Sequence, residues 1–158
     1  MIADALETIH RLAIKHGITI ATAESLTAGM VASNLATLSG SSAYFRGGVA
    51  AYTIDAKVEI LGVDRKAAEN CNCVSGEVAE QMALGACKLF HADCVIATTG
   101  YAEPWPESGI DKAFAFTTIL LGSTIKTTQH DLSYLNREDA RKAVTQSALT
   151  DLAAMLEG

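Results

Sequence analysis

Residues 19–35 read TIATAESLTAGMVASNL, and the change of pattern inside them decides the fold class. The first part, led in by Ile18, is a run of small and β-branched residues that fits a buried strand. The second part keeps its apolar residues at helical spacing, which predicts a helix over residues 26–38, ending before the SGSS cluster at 39–42. Glu24, Ser25 and Thr27 fall at the junction among small neighbours (Ala21, Ala23, Ala28, Gly29). A carboxylate and two hydroxyls at a strand-to-helix turn suit either helix capping or chemistry.

The rest of the chain repeats this alternation. Residues 3–16 are helical, with Ala5, Ile9, Leu12 and Ala13 on one stripe, and Gly17 stops them. FRGGVAAY (45–52) reads as a second strand, and DAKVEILGV (55–63) and DRKAAEN (64–70) as short helical pieces separated at Gly62. Ser75 reads as an N-cap, with Glu77 in the first turn of a helix running to about residue 90. CVIATTG (94–100) is a strand of the fully buried type. AFAFTTILL (113–121) and TIKTTQHDL (124–132) form a hairpin through Gly122 and Ser123, and residues 137–156 close the chain as a helix with Ala143, Leu149, Leu152 and Leu156 inward. Helices alternating with strands and ending in a hairpin predict one α/β domain over residues 1–158, a three-layer α/β/α arrangement with a mixed sheet. EPWPESGID (103–111) holds both prolines and follows a buried strand, where ligands sit in such sheets.

Composition narrows the function classes. The chain has 158 residues, 49% apolar and 19% charged, as a folded globular protein does. Twelve basic against eighteen acidic residues leave a net charge of −6, which argues against nucleic acid or an anionic membrane as partner. No apolar run reaches the roughly 20 residues of a membrane span, and the amphipathic start with Asp4 and Glu7 is unlike a signal peptide, so a cytoplasmic location is expected. The four cysteines show no C-x-x-C spacing and the four histidines are scattered, so neither a metal nor another cofactor is expected. Apolar helices in so small a domain are compatible with a homo-oligomer.

Three polar groups should stand at strand ends: Ser25, then Tyr52 with Lys57 just beyond it, then Thr98 and Thr99. If the strands are neighbours, these groups converge on one sheet edge. A helix opening at Ser25 would present unpaired N–H groups and the positive end of a dipole to negative charge on its hydroxyl. No histidine lies in these segments, so Lys57, uncharged by burial, is the available base. Each residue alone has a commoner reading: Ser25 as a helix cap, Lys57 as a solvated surface lysine, Tyr52 as a core aromatic, the threonines as strand formers, Glu24 as a partner for a lysine or a backbone N–H. Neither G-x-S-x-G nor a P-loop motif is present.

TAESLTAG, GSSAYFRGGVAAYTIDAKVEILGV, VSGEVAEQMALGA and TTGYAEP together resemble, in order and spacing, the C-terminal domain family of the CinA (competence/damage-inducible) proteins, over about residues 3 to 155. The resemblance implies a metal-independent amidohydrolase that converts nicotinamide mononucleotide and water to nicotinate mononucleotide and ammonia. It implies Ser25 as nucleophile and Lys57, 32 residues later, as general base, with Tyr52 and Thr99 orienting the pair. It further implies Arg137 as a substrate-holding residue, with Thr27, Gly48 and Gly100 against a small nucleotide substrate. The chain departs from the family pattern at Leu26, at Ile54 and through residues 101–116, where Glu103 replaces a glycine. Two other readings therefore stand beside the first: a hydrolase of a different carboxamide, and a non-catalytic nucleotide-binding paralogue.

Overall fold

The computed structural model describes all 158 residues. Helix α1 (Ile2–His16) buries Ala5, Leu6, Ile9, Leu12 and Ala13 along one stripe, and Gly17 ends it in the left-handed conformation at φ 65°. Strand β1 (Ile20–Glu24) is buried at every residue, as a central strand covered on both faces must be. It lies between β2 (Phe45–Ala50) and β3 (Cys94–Tyr101), parallel to both. The hairpin of β4 (Phe114–Leu121) and β5 (Thr124–Asp131) adds to β3 in antiparallel sense, so the sheet order is β2-β1-β3-β4-β5.

Helices cover both faces. On one, α1, α2 (Met30–Leu35) and α6 (Arg137–Glu157) pack on Ile20, Cys94, Ile96 and Ile119. On the other, α3 (Ile54–Leu61), α4 (Arg65–Asn70) and α5 (Gly76–Phe90) pack on Ala21, Ala23, Val95, Ala97 and Leu120. This is the expected three-layer α/β/α arrangement with a mixed sheet. Ser75 Oγ accepts from Val78 N at 3.1 Å, the cap read from the sequence.

Two expectations are corrected. Residues 26–29 form a turn, and α2 starts only at Met30, because Ala28 (φ 48°) and Gly29 (φ 100°) are left-handed and cannot continue a helix. In α6 the fully buried stripe runs Ala140, Val144, Ala148 and Leu152 with Leu149 beside it, while Ala143 and Leu156 are only half-buried. The i, i+4 step from Ala140 explains the difference, since the stripe is one residue offset from Ala143.

Residues 103–111 are more ordered than a long irregular loop. Trp105 and Ile110 exchange backbone hydrogen bonds of 2.8 and 3.1 Å around a short 3-10 turn at Pro106–Ser108. The tongue folds back beside the carboxyl end of β3.

Candidate active site

Strand alternation sends consecutive residues of the β1 end to opposite faces of the sheet. Glu24 goes to the α2 side, where its buried carboxylate accepts four hydrogen bonds: from Thr27 Oγ1 (2.6 Å), Gly29 N (3.0 Å), Val31 N (3.1 Å) and Ala32 N (2.8 Å). Glu24, rather than Ser25, therefore caps α2, and the positive end of that helix faces its carboxylate. The sequence left Glu24 between a lysine partner and backbone N–H groups, and it takes the backbone.

Ser25 goes to the α3 side. Its N–H donates to Thr98 O at 2.9 Å, extending the β1–β3 pairing by one residue, and the side chain is 7% exposed. Lys57 sits in α3, whose start is capped by Thr53 Oγ1 accepting from Ala56 N at 3.1 Å. The lysine is 1% exposed, and its Nζ donates to Ser25 Oγ at 3.0 Å and to the carbonyl oxygen of Tyr52 at 2.8 Å. Neither acceptor is a carboxylate. Burial pushes the Lys57 pKa below the ordinary lysine range, while the Cys73 thiol pulls it partly back. Burial likewise raises the Cys73 thiol, with Lys57 opposing.

Tyr52 is 56% exposed; its main-chain oxygen holds Lys57 while its phenol accepts from Arg137 Nη2 at 3.1 Å. Thr99 is buried and donates to the carbonyl oxygen of Cys73, so its hydroxyl ties β3 to the loop before α5; it lines the same cavity as Ser25 and Lys57 but is hydrogen-bonded to neither. Thr27 is buried behind Ser25, bonded to Glu24 and, at 2.7 Å, to Thr98 Oγ1, and so props the turn without reaching the cavity. Gly48 lies on the edge strand away from the cavity; a Cβ there would collide with Thr22 Oγ1, so its reason is packing. Gly100 lines the cavity and also lets β4 approach, since a Cβ would stand 2.7 Å from Ala115 Cα.

Ser25 and Lys57 form the floor of a cavity of about 520 Å³, walled by residues 52–54, 72–74 and 99–105 and by Arg137. Arg137, the first residue of α6, bridges its mouth: Nη1 donates to Glu103 Oε1 at 2.8 Å and Nη2 to the Tyr52 hydroxyl. Trp105 and Tyr52 present half-exposed aromatic rings there. Nowhere do three or more His, Cys, Asp or Glu side chains gather as a metal-binding group.

Two participants were missed in the sequence. Arg141, one turn after Arg137, donates through Nε to Leu26 O (2.8 Å) and through Nη2 to Thr27 O (3.3 Å), clamping the turn after Ser25. Its i, i+4 spacing from Arg137 was the available signal. The second is Cys73, whose nearness to Lys57 depends on how the loop before α5 folds over α3.

The sequence profile of the CinA C-terminal domain matches residues 3–156. A CinA-like protein of Mycolicibacterium gilvum is 42% identical over 149 residues, covering 92% of this chain and 35% of that protein. The chain spans about a third of the length of the curated relatives it matches most fully. A competence-damaged protein (CinA) superfamily structure from Klebsiella pneumoniae superposes with a TM-score of 0.92 at 25% identity, over 99% of this chain and 98% of that one. A competence/damage inducible protein structure from Agrobacterium tumefaciens superposes with a TM-score of 0.84 at 31% identity, over 99% and 96%.

Proposed function

The chain belongs to the CinA C-terminal domain family, and from that premise we propose that it is a Ser/Lys carboxamide hydrolase acting on nicotinamide mononucleotide. The observation that carries the reading is the 3.0 Å hydrogen bond between a buried lysine amine with no carboxylate partner and a serine hydroxyl on the floor of a cavity. An amine held in that way loses its proton readily, and an uncharged amine at hydrogen-bond distance can take the hydroxyl proton.

The reaction balances as two acyl transfers. Lys57 Nζ accepts the Ser25 proton as Oγ bonds to the carboxamide carbon, giving a tetrahedral adduct. The resulting ammonium returns that proton to the amide nitrogen, ammonia leaves, and an ester to Ser25 remains. Water then attacks the ester carbon while Lys57 takes one of its protons and returns it to Oγ, and the carboxylic acid that leaves gives up its remaining proton to solvent as carboxylate. The main-chain N–H of Leu26, which lines the cavity next to the nucleophile, donates to no acceptor in the protein, so it is the donor offered to the oxyanion. Because Glu24 already occupies the α2 terminus, the oxyanion relies on this turn and not on the helix dipole.

Ammonia release from nicotinamide mononucleotide tests the reading. Ser25→Ala and Lys57→Met should each lower the rate about a thousandfold or more. Wild-type protein that releases no ammonia, or a Lys57→Met variant as active as wild type, refutes it. A second reading, hydrolysis of a carboxamide with a different tail, is favoured by the Glu103 carboxylate on Arg137 at the cavity mouth.

A further inference from the structure

We propose that Glu103 sets the charge preference of this cavity: by occupying Arg137 it makes the site favour carboxamides with an uncharged or cationic tail over those carrying a phosphate. This inference rests on the carboxamide-hydrolase reading and narrows it: nicotinamide mononucleotide remains a substrate but binds no more tightly than its phosphate-free riboside.

The charges on the cavity wall are few. Lys57 is on the floor, with Nζ engaged by Ser25 and the Tyr52 carbonyl. Arg137 and Glu103 stand together at the mouth, 2.8 Å apart, and the Tyr52 phenol takes a second guanidinium nitrogen. No other charged side chain lines the cavity, so it presents no unpaired surface cation. A phosphate monoester, with a charge of about −1.5 to −2 at neutral pH, can reach Arg137 only by displacing the Glu103 carboxylate or by lying beside it. Displacement forfeits a charge-assisted hydrogen bond, and coexistence places like charges side by side.

The same mouth suits a cationic ring. Tyr52 and Trp105, 56% and 44% exposed, offer aromatic faces at the rim, and Glu103 adds a negative charge near them. Both features attract a positively charged heterocycle. Because Arg137 and Glu103 are each about half exposed, solvent screens their effect, and the discrimination is about tenfold at low salt.

Two ligands that differ only in a phosphate provide the test: nicotinamide riboside and nicotinamide mononucleotide share a carboxamide on a cationic ring. Their affinities are measured by calorimetry on Ser25→Ala protein, with and without Glu103→Gln or Glu103→Asp. The parent protein should bind the riboside at least as tightly as the mononucleotide. Glu103→Gln should tighten the mononucleotide about tenfold while the riboside changes less than about threefold, and high salt should erase the gain. Glu103→Asp should keep the parent ratio. A parent that prefers the mononucleotide, a ratio that moves less than about twofold from the parent's on Glu103→Gln, or no binding of either ligand overturns the proposal. Ammonia release by protein with Ser25 intact is read separately. Ratios that move as expected without ammonia refute the hydrolase reading alone.

Discussion

Replacing Glu24 by glutamine keeps shape and size but removes one acceptor, and the structure allows its cost to be worked out. Oε2 accepts from Thr27 Oγ1, Gly29 N and Val31 N, while Oε1 accepts only from Ala32 N. The best glutamine orientation keeps its oxygen at the Oε2 position and turns its NH2 toward Ala32 N–H. One buried donor then faces another donor, which costs about 1–3 kcal/mol. The three retained bonds fall from charge-assisted to neutral strength, a loss of about 1 kcal/mol each. Relief from burying a charge offsets part of this, so the net destabilisation is about 2–4 kcal/mol. In a domain of this size that lowers Tm by about 4–16 °C. Denaturant unfolding at neutral pH, followed by circular dichroism, would read it as a lower midpoint with unchanged slope. Thr27→Val removes one shared hydroxyl, and its effect should be non-additive with Glu24→Gln in a double-mutant cycle. A Glu24→Gln protein within about 0.5 kcal/mol of wild type, the scatter of an ordinary surface change, would refute the idea that this carboxylate holds the turn after Ser25.

The other expectations use the Lys57 environment and the packing behind it. Lys57 must be uncharged to act as base and burial lowers its pKa, so kcat/KM should fall as pH drops through that lowered value; a flat profile would contradict the role. For stability the sign is fixed by the unfolded chain, which binds the Lys57 proton more readily than the folded protein does. The burial cost is therefore full at low pH and relieved as pH rises from the lowered value toward the ordinary 10.5, and Lys57→Met should remove this rise. Gly85 in α5 lets the end of α3 approach so closely that a Cβ would collide with the Leu61 carbonyl oxygen and stand 2.7 Å from its carbon. Gly85→Ala should cost about 1–3 kcal/mol and lower activity by shifting the helix that carries Lys57, whereas an unchanged Tm would show that α3 gives way freely.

The sequence by itself determined most of the elements, because these rest on local periodicity. The stripe of α1, the buried run of β3, the Ser75 cap and the turn at Gly122 involve only residues a few positions apart, and all are present. Even the split between Glu24 and Ser25 follows from strand alternation. Residues 26–29 are apolar and small enough for a helix, and only the buried carboxylate collecting Gly29, Val31 and Ala32 N–H groups reveals why the chain turns first. The tertiary structure alone decided what stands opposite Ser25. Lys57 reaches it because β2 pairs with β1 and α3 returns over the alanine face of the sheet, a choice made by burying Ala21, Ala23 and Ala51 against Leu61 and Met82. Hydrophobic burial sums over the whole core and carries no address in any short stretch. For that reason the positions of Tyr52, Thr99, Arg141 and Glu103 around Ser25 were fixed only once the layers had packed.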